Sequence, residues 1–328
     1  MGRDKFWDSL KFILISFVVY GHMIETYTTD NRYHQAMYFF IYIFHMPFFM
    51  FISGRFSQLT NRAKYKKGII GILETYIVFQ LIRCFKPIFL ETDTILNLQI
   101  LYPKGTLWYL AYLLVYRLII YCMPVRIMKE YKFLILSFCF LLGIAWGFVP
   151  TNSFQKFFSF LPYFMLGYYS ININIKKIES RMPLYLAISL AVVIWLSIYY
   201  FVNFDNVIIL YCNISYHYFS PTISPISLCF SKCALYIAAI TISFILMRIN
   251  LKWCIFPQFG SSTLFIYMYH TFIILGLRLL ITKDYIWQNE IMLIIYTICI
   301  ITLLLSLSNM KIFKIIMNPI TYFFYKKH

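Results

Sequence analysis

Ten stretches of mostly apolar residues recur along this chain, at 10–27, 34–54, 68–90, 105–124, 132–150, 156–173, 182–202, 225–247, 259–281 and 291–310. An α-helix needs about 20 such residues to cross the hydrocarbon of a bilayer. Lipid-exposed loops and open sheet edges cannot exist there, because their backbone groups would lack partners. The recurrence therefore points to one fold class: an all-α, polytopic transmembrane bundle of about ten spans, forming a single membrane-embedded unit over 1–328. The sixth stretch, short and carrying Pro162, is the least regular. Composition agrees, since 61% of the residues are hydrophobic and 12% charged, against roughly 45–50% and about 25% in soluble domains.

A formal charge of +17 would suit a nucleic-acid partner, but the basic residues sit at the ends of the apolar runs, where they act as topology signals. With the N-terminus in the cytoplasm, 20 Lys and Arg fall in the cytoplasmic segments and six in the opposite ones. That bias predicts an even number of spans with both termini cytoplasmic. Arg3, Lys5 and Lys11 before Phe12–Tyr20 resemble a signal peptide, but no small-residue cleavage site follows, so the run reads as a retained first helix. The eight cysteines include no CxxC pair and read as small packing residues, with neither disulfides nor a metal site expected. The 203–224 connection lacks Lys and Arg and holds Tyr211, Tyr216, His217, Tyr218 and Phe219; it reads equally as a sugar-facing loop or an interfacial aromatic belt.

Ionisable residues within spans mark function more often than not. Lys11 and His22 lie eleven residues apart in the first span, close to three turns and about 16 Å of rise, on one helix face. Glu25 follows one turn later. A histidine oriented by a carboxylate in a water-poor cavity is equipped as a general base, whereas Lys11 could simply snorkel to the inner surface. His45 precedes Pro47, which removes a helical hydrogen bond and could turn the imidazole toward a cavity. Arg62, Lys64, Lys66 and Lys67 form a cluster able to hold phosphates or to set topology. Glu74, Arg83 and His270 also fall within spans and suit interhelical hydrogen bonds. No P-loop, GxSxG elbow or HExxH is present, so any chemistry must use groups inside the bundle.

Read in order, Asp8-Ser9-Leu10-Lys11 leading to Tyr20-Gly21-His22, Phe44-His45-Met46-Pro47 running into Ser53-Gly54, Leu107-Trp108-Tyr109-Leu110, Leu161-Pro162-Tyr163 through Gly167, and Tyr267-Met268-Tyr269-His270 resemble acyltransferase family 3. The resemblance is to membrane enzymes that move acyl groups onto cell-surface carbohydrates, in particular the fucose O-acetylase-like branch, which shares lysine at the Lys11 position where many members have arginine. It implies about ten spans, acetyl-CoA as donor, and an essential histidine at His22, acting as base or transient acyl carrier. His22, Glu25 and His45 are then the expected catalytic group, and Lys11, Arg62, Lys64, Lys66 and Lys67 the expected donor-binding group. The expected acceptor is a surface glycan or its lipid-linked precursor, at the cell (plasma or inner) membrane, with no metal. No hydrolase-like domain is appended, so transfer is completed by the membrane unit or handed to a partner. Two rival readings remain: a glycan flippase or transporter, and another class of membrane acyltransferase with His270 as base.

A reporter active only in the cytoplasm is expected to work when fused after Lys67 or Lys177 and to fail within 203–224. The reverse pattern would overturn the orientation.

Overall fold

The computed structural model describes residues 4–25, 28, 31–84, 103, 105–150, 154–202, 209, 210, 212, 215, 216, 223–280 and 290–319. Arg3, Lys86, Lys104, Lys283, Lys326 and Lys327 lie outside them, as does most of the 203–224 connection, including Tyr211, His217, Tyr218 and Phe219. The described residues form helices: α1 (Lys5–Ile24), α2 (Arg32–Arg55), α3 (Arg62–Cys84), α4 (Trp108–Cys122), α5 (Val125–Glu130), α6 (Lys132–Ala145), α7 (Gln155–Tyr169), α8 (Ile175–Glu179), α9 (Leu184–Phe201), α10 (Pro225–Trp253), α11 (Thr263–Leu280), α12 (Glu290–Ser308) and α13 (Lys311–Met317). Each of the ten apolar stretches holds one of the ten longer helices.

Seven segments are long and apolar enough to cross a membrane by length and composition: α1, α2, Gly105–Cys122, α9, α10, Pro257–Arg278 and α12. The other three fall short for different reasons. The α3 helix has 23 residues but opens with Arg62, Lys64, Lys66 and Lys67. The α6 and α7 helices have only 14 and 15 residues, and α7 contains Pro162.

Local chemistry sets several helix ends. Asp4 accepts a hydrogen bond from the Phe6 amide at the start of α1, and Asn31 from the Tyr33 amide at the start of α2. Both are ordinary N-cap solutions for orphan helical donors. At the opposite end of α9, Arg32 donates to the terminal carbonyls of Tyr199 (2.7 Å) and Val202 (2.7 Å). Those carbonyls have no intrahelical partner, so one guanidinium both caps α9 and ties it to α2.

The core centres on α1 and α2. The α2 helix packs most extensively on α7, and also on α1, α9 and α10; α1 in addition meets α10, α11, α12 and the 3₁₀ turn Pro257–Ser262. The closeness of α2 to α7 rests on two reciprocal glycines. A Cβ on Gly54 would collide with the Phe164 carbonyl, and a Cβ on Gly167 with the Phe51 carbonyl. Lipid tails are as apolar as leucine, so helices in a bilayer associate through such close backbone contact.

The remaining in-span cations are accommodated individually. Arg117 lies 4.6 Å over the Tyr65 ring, Lys232 donates to the Ser159 hydroxyl at 2.9 Å and contacts Cys212 Sγ at 2.8 Å, and Arg278 donates to the His22 carbonyl at 2.6 Å.

Substituting Gly54 or Gly167 by leucine is expected to cost at least the roughly 1–3 kcal/mol typical of overpacking, because the obstacle is backbone that cannot rotate away. Gly276→Ala meets nothing within 4 Å and is expected to be neutral or slightly stabilising. Thermal unfolding in detergent checks the contrast; equal melting temperatures would refute the close-approach role.

Candidate active site

The α1 helix ends at Ile24, and Glu25 caps it by donating its amide to the Gly21 carbonyl. That last turn brings the Glu25 carboxylate back onto the ring three residues earlier, with His22 Nδ1 at 3.0 Å from Glu25 Oε2. The other carboxylate oxygen, Oε1, accepts from the Tyr38 hydroxyl at 3.4 Å, and the Tyr42 hydroxyl lies 3.4 Å from the same His22 nitrogen. Both contacts to the imidazole engage Nδ1. With Nδ1–H donated to a carboxylate, Nε2 keeps its lone pair, the arrangement in which one nitrogen orients the ring and the other accepts a proton.

His22 and Glu25 line a cavity of about 370 Å³, whose walls include Tyr42, His45, Met46, Trp108 and Tyr267. The volume falls within the roughly 300–1,000 Å³ of small-molecule sites. His45 is buried, its Nδ1 2.7 Å from the Ile41 carbonyl one turn back, and its ring packs against Tyr42 with centroids 4.8 Å apart. It shares the cavity with His22, but α2 continues as a helix through Pro47.

His270 is wholly buried. Its Nδ1 meets the Ile266 carbonyl at 3.1 Å, its ring lies 5.2 Å from that of His22, and its Nε2 has no partner among the described residues. It is not among the residues lining the cavity. Of the two histidines, His22 lines the cavity and His270 packs behind it.

Lys11 lines a second cavity, of about 390 Å³, toward the end of the bundle where α1 begins, with Ser53, Tyr109, Gly260 and Ser261 among its walls. Its ammonium is 2.6 Å from the Asp8 carboxylate and 5.6 Å from the Phe56 ring centroid. Met46 and Tyr267 line both cavities, so the two are adjacent and join at those side chains. Tyr267 is held in place by donating to the Thr106 carbonyl.

The basic cluster named with Lys11 as donor-binding does not line the Lys11 cavity. Arg62, Lys64, Lys66 and Lys67 are exposed at the start of α3, Arg62 lying 4.9 Å over the Tyr121 ring. The polar start of α3 seeks water, while Ile72 further along reaches the cavity wall.

Three cations of the His22 cavity were not in the expected site: Arg83, Lys156 and Arg278. Arg83 and Arg278 were visible in the sequence as charges within apolar runs. Lys156 looked like a loop residue at the edge of a span.

A membrane-embedded helical bundle organised around a histidine–carboxylate pair is the class of protein this describes: a polytopic membrane enzyme. The sequence signature of the Acyltransferase domain, acyltransferase family 3, matches residues 4–309, nearly the whole chain, and the chain belongs to this family of membrane acyltransferases. It is also similar to nodulation protein NolL of Sinorhizobium fredii, 42% identical over 62 residues. That likeness covers 18% of this chain and 17% of the relative, less than a fifth of either. No solved structure matches the chain.

Replacing His22 by alanine is expected to lower acyl transfer by about 10²–10⁴-fold, the usual contribution of a general base, at unchanged protein level. Glu25→Gln keeps the shape without the charge and should fall between wild type and His22→Ala, with His270→Ala milder. Near-normal transfer by His22→Ala at equal protein level would refute the assignment.

Proposed function

We propose that the protein is an O-acetyltransferase of the cell (plasma or inner) membrane. It takes acetyl from acetyl-CoA at the cytoplasmic face and transfers it to a hydroxyl of a surface polysaccharide or its lipid-linked precursor. The observation that carries this reading is a pair of adjacent cavities, Lys11 lining one and His22 the other, with Met46 and Tyr267 in the walls of both. The charge bias of the sequence assigns the Lys11 end to the cytoplasm.

The anionic end of coenzyme A suits the Lys11 cavity, with Asp8 holding the ammonium in position, and its long thin arm would reach past Met46 and Tyr267 toward His22. His22 Nε2 accepts the proton of the acceptor hydroxyl as that oxygen attacks the acetyl carbonyl. The carbon–sulfur bond then breaks, and the departing thiolate recovers the proton from the imidazolium. Glu25, bonded to Nδ1, stabilises the imidazolium while it exists. A hydrogen bond to a charged group is worth about 1.5–3 kcal/mol, which sets the scale for the loss of Lys11.

The test uses purified full-length protein with labelled acetyl-CoA and glycan extracted from the source cells as acceptor. Acetyl-CoA consumption is expected from wild type, and Lys11→Gln is expected to raise KM for acetyl-CoA by roughly tenfold or more. Neutralising Arg62, Lys64, Lys66 and Lys67 together should have a smaller effect at physiological salt, where exposed charges are screened over about 8 Å. A flippase would consume no acetyl-CoA at all, and that result would sink the proposal.

A further inference from the structure

The His22 cavity is electrostatically lopsided. Among the described residues its lining holds three basic side chains, Arg83, Lys156 and Arg278, against one carboxylate, Glu25. That carboxylate is already engaged by His22 and Tyr38. Neither Lys156 nor Arg278 lies within ion-pair distance of a carboxylate among the described residues. An excess of positive charge at membrane depth is costly and is retained where an anion is to be received.

The side chains are also aimed. Arg278 donates through Nη2 to the carbonyl of His22 itself, while its buried Nε has no partner among the described residues. The guanidinium is thus tethered to the base it serves, with donor capacity left over. Lys156 comes from the opposite wall, on α7, with its ammonium 5.0 Å over the Trp108 ring. Arg83 completes the set, donating to the hydroxyls of Thr106 (2.8 Å) and Thr271 (3.0 Å). Its guanidinium occupies the space a Cβ at Gly105 would fill, and Gly105 has φ of +56°, doubly restricting that position to glycine.

The donor does not account for these charges. Under the reading proposed above, on which this inference rests, its phosphates stay at the Lys11 end and only the uncharged arm reaches the join. We propose that the acceptor is acidic: the sugar whose hydroxyl meets His22 carries an oxyanion, a carboxylate or a phosphate, held between Lys156 and Arg278. Binding that anion fixes the ring beside His22 Nε2 and discriminates against neutral sugars, because Arg278 has Glu25 within its field while a neutral acceptor leaves Lys156 without an anion. The 370 Å³ of the cavity suits one sugar with its substituent rather than a length of chain.

The experiment is comparative glycan analysis of the source cells, wild type against deletion, complemented by wild-type, Lys156→Gln and Lys156→Arg chains at matched protein levels. The expected result is loss of an acetyl group from a residue bearing a carboxylate or a phosphate. Its restoration by wild type and Lys156→Arg, and at least a tenfold lower restoration by Lys156→Gln, completes the expectation. Tandem mass spectrometry of the acetylated residue, in which a phosphate ester and a uronic acid give different mass increments, separates the two sources. Loss of acetyl from a neutral residue with no anionic substituent overturns this inference and leaves the O-acetyltransferase reading standing. Full restoration by Lys156→Gln also overturns it. Loss of no acetyl group at all overturns the O-acetyltransferase reading and this inference with it.

Discussion

A charge in hydrocarbon must be turned inward and given company, and much of this structure follows from meeting that demand. The polar side chains of α1 are the first case: Lys11 pairs with Asp8 and His22 with Glu25, each along its own helix turn. Helical geometry places both pairs on surfaces that the neighbouring helices then enclose. The enclosure needs a close fit, which α2 provides by meeting α7 backbone to backbone through Gly54 and Gly167. With α2 held there, Tyr42, His45 and Met46 stand at the wall of the His22 cavity. Packing and chemistry thus share one helix.

The same economy explains the site's two-chamber form. Lys11 lines one chamber and His22, with Arg83, Lys156 and Arg278, lines the other, and Met46 and Tyr267 belong to the walls of both. His270 is buried behind His22 at ring distance, so the two rings pack together.

Much of the fold was legible in the sequence because bilayer thickness and backbone satisfaction act on local runs of residues. Each of the ten apolar stretches contains a helix, including the Pro162 segment that looked least regular. The His22–Glu25 contact was legible for the same reason, since residues three apart on a helix are neighbours wherever the helix sits. Arg62, Lys64, Lys66 and Lys67 show the limit of that reasoning. Their charge was plain, but whether a cation at a helix start lines a cavity or the surface depends on how α3 is rotated against α4, and here they lie exposed at the surface.

Sequence alone determined that the chain is a helical membrane protein, and that Lys11, His22 and Glu25 share a face of its first helix, because both follow from helix period and local hydrophobicity. Tertiary structure alone decided that Arg83, Lys156 and Arg278 meet around His22. They come from three helices far apart in the chain, and no local pattern records which distant charges packing will bring into one cavity. It also decided the rank of the two histidines, since His22 reaches open space and His270 does not. Exposure is a property of what surrounds a residue, and what surrounds it is set only when the helices close.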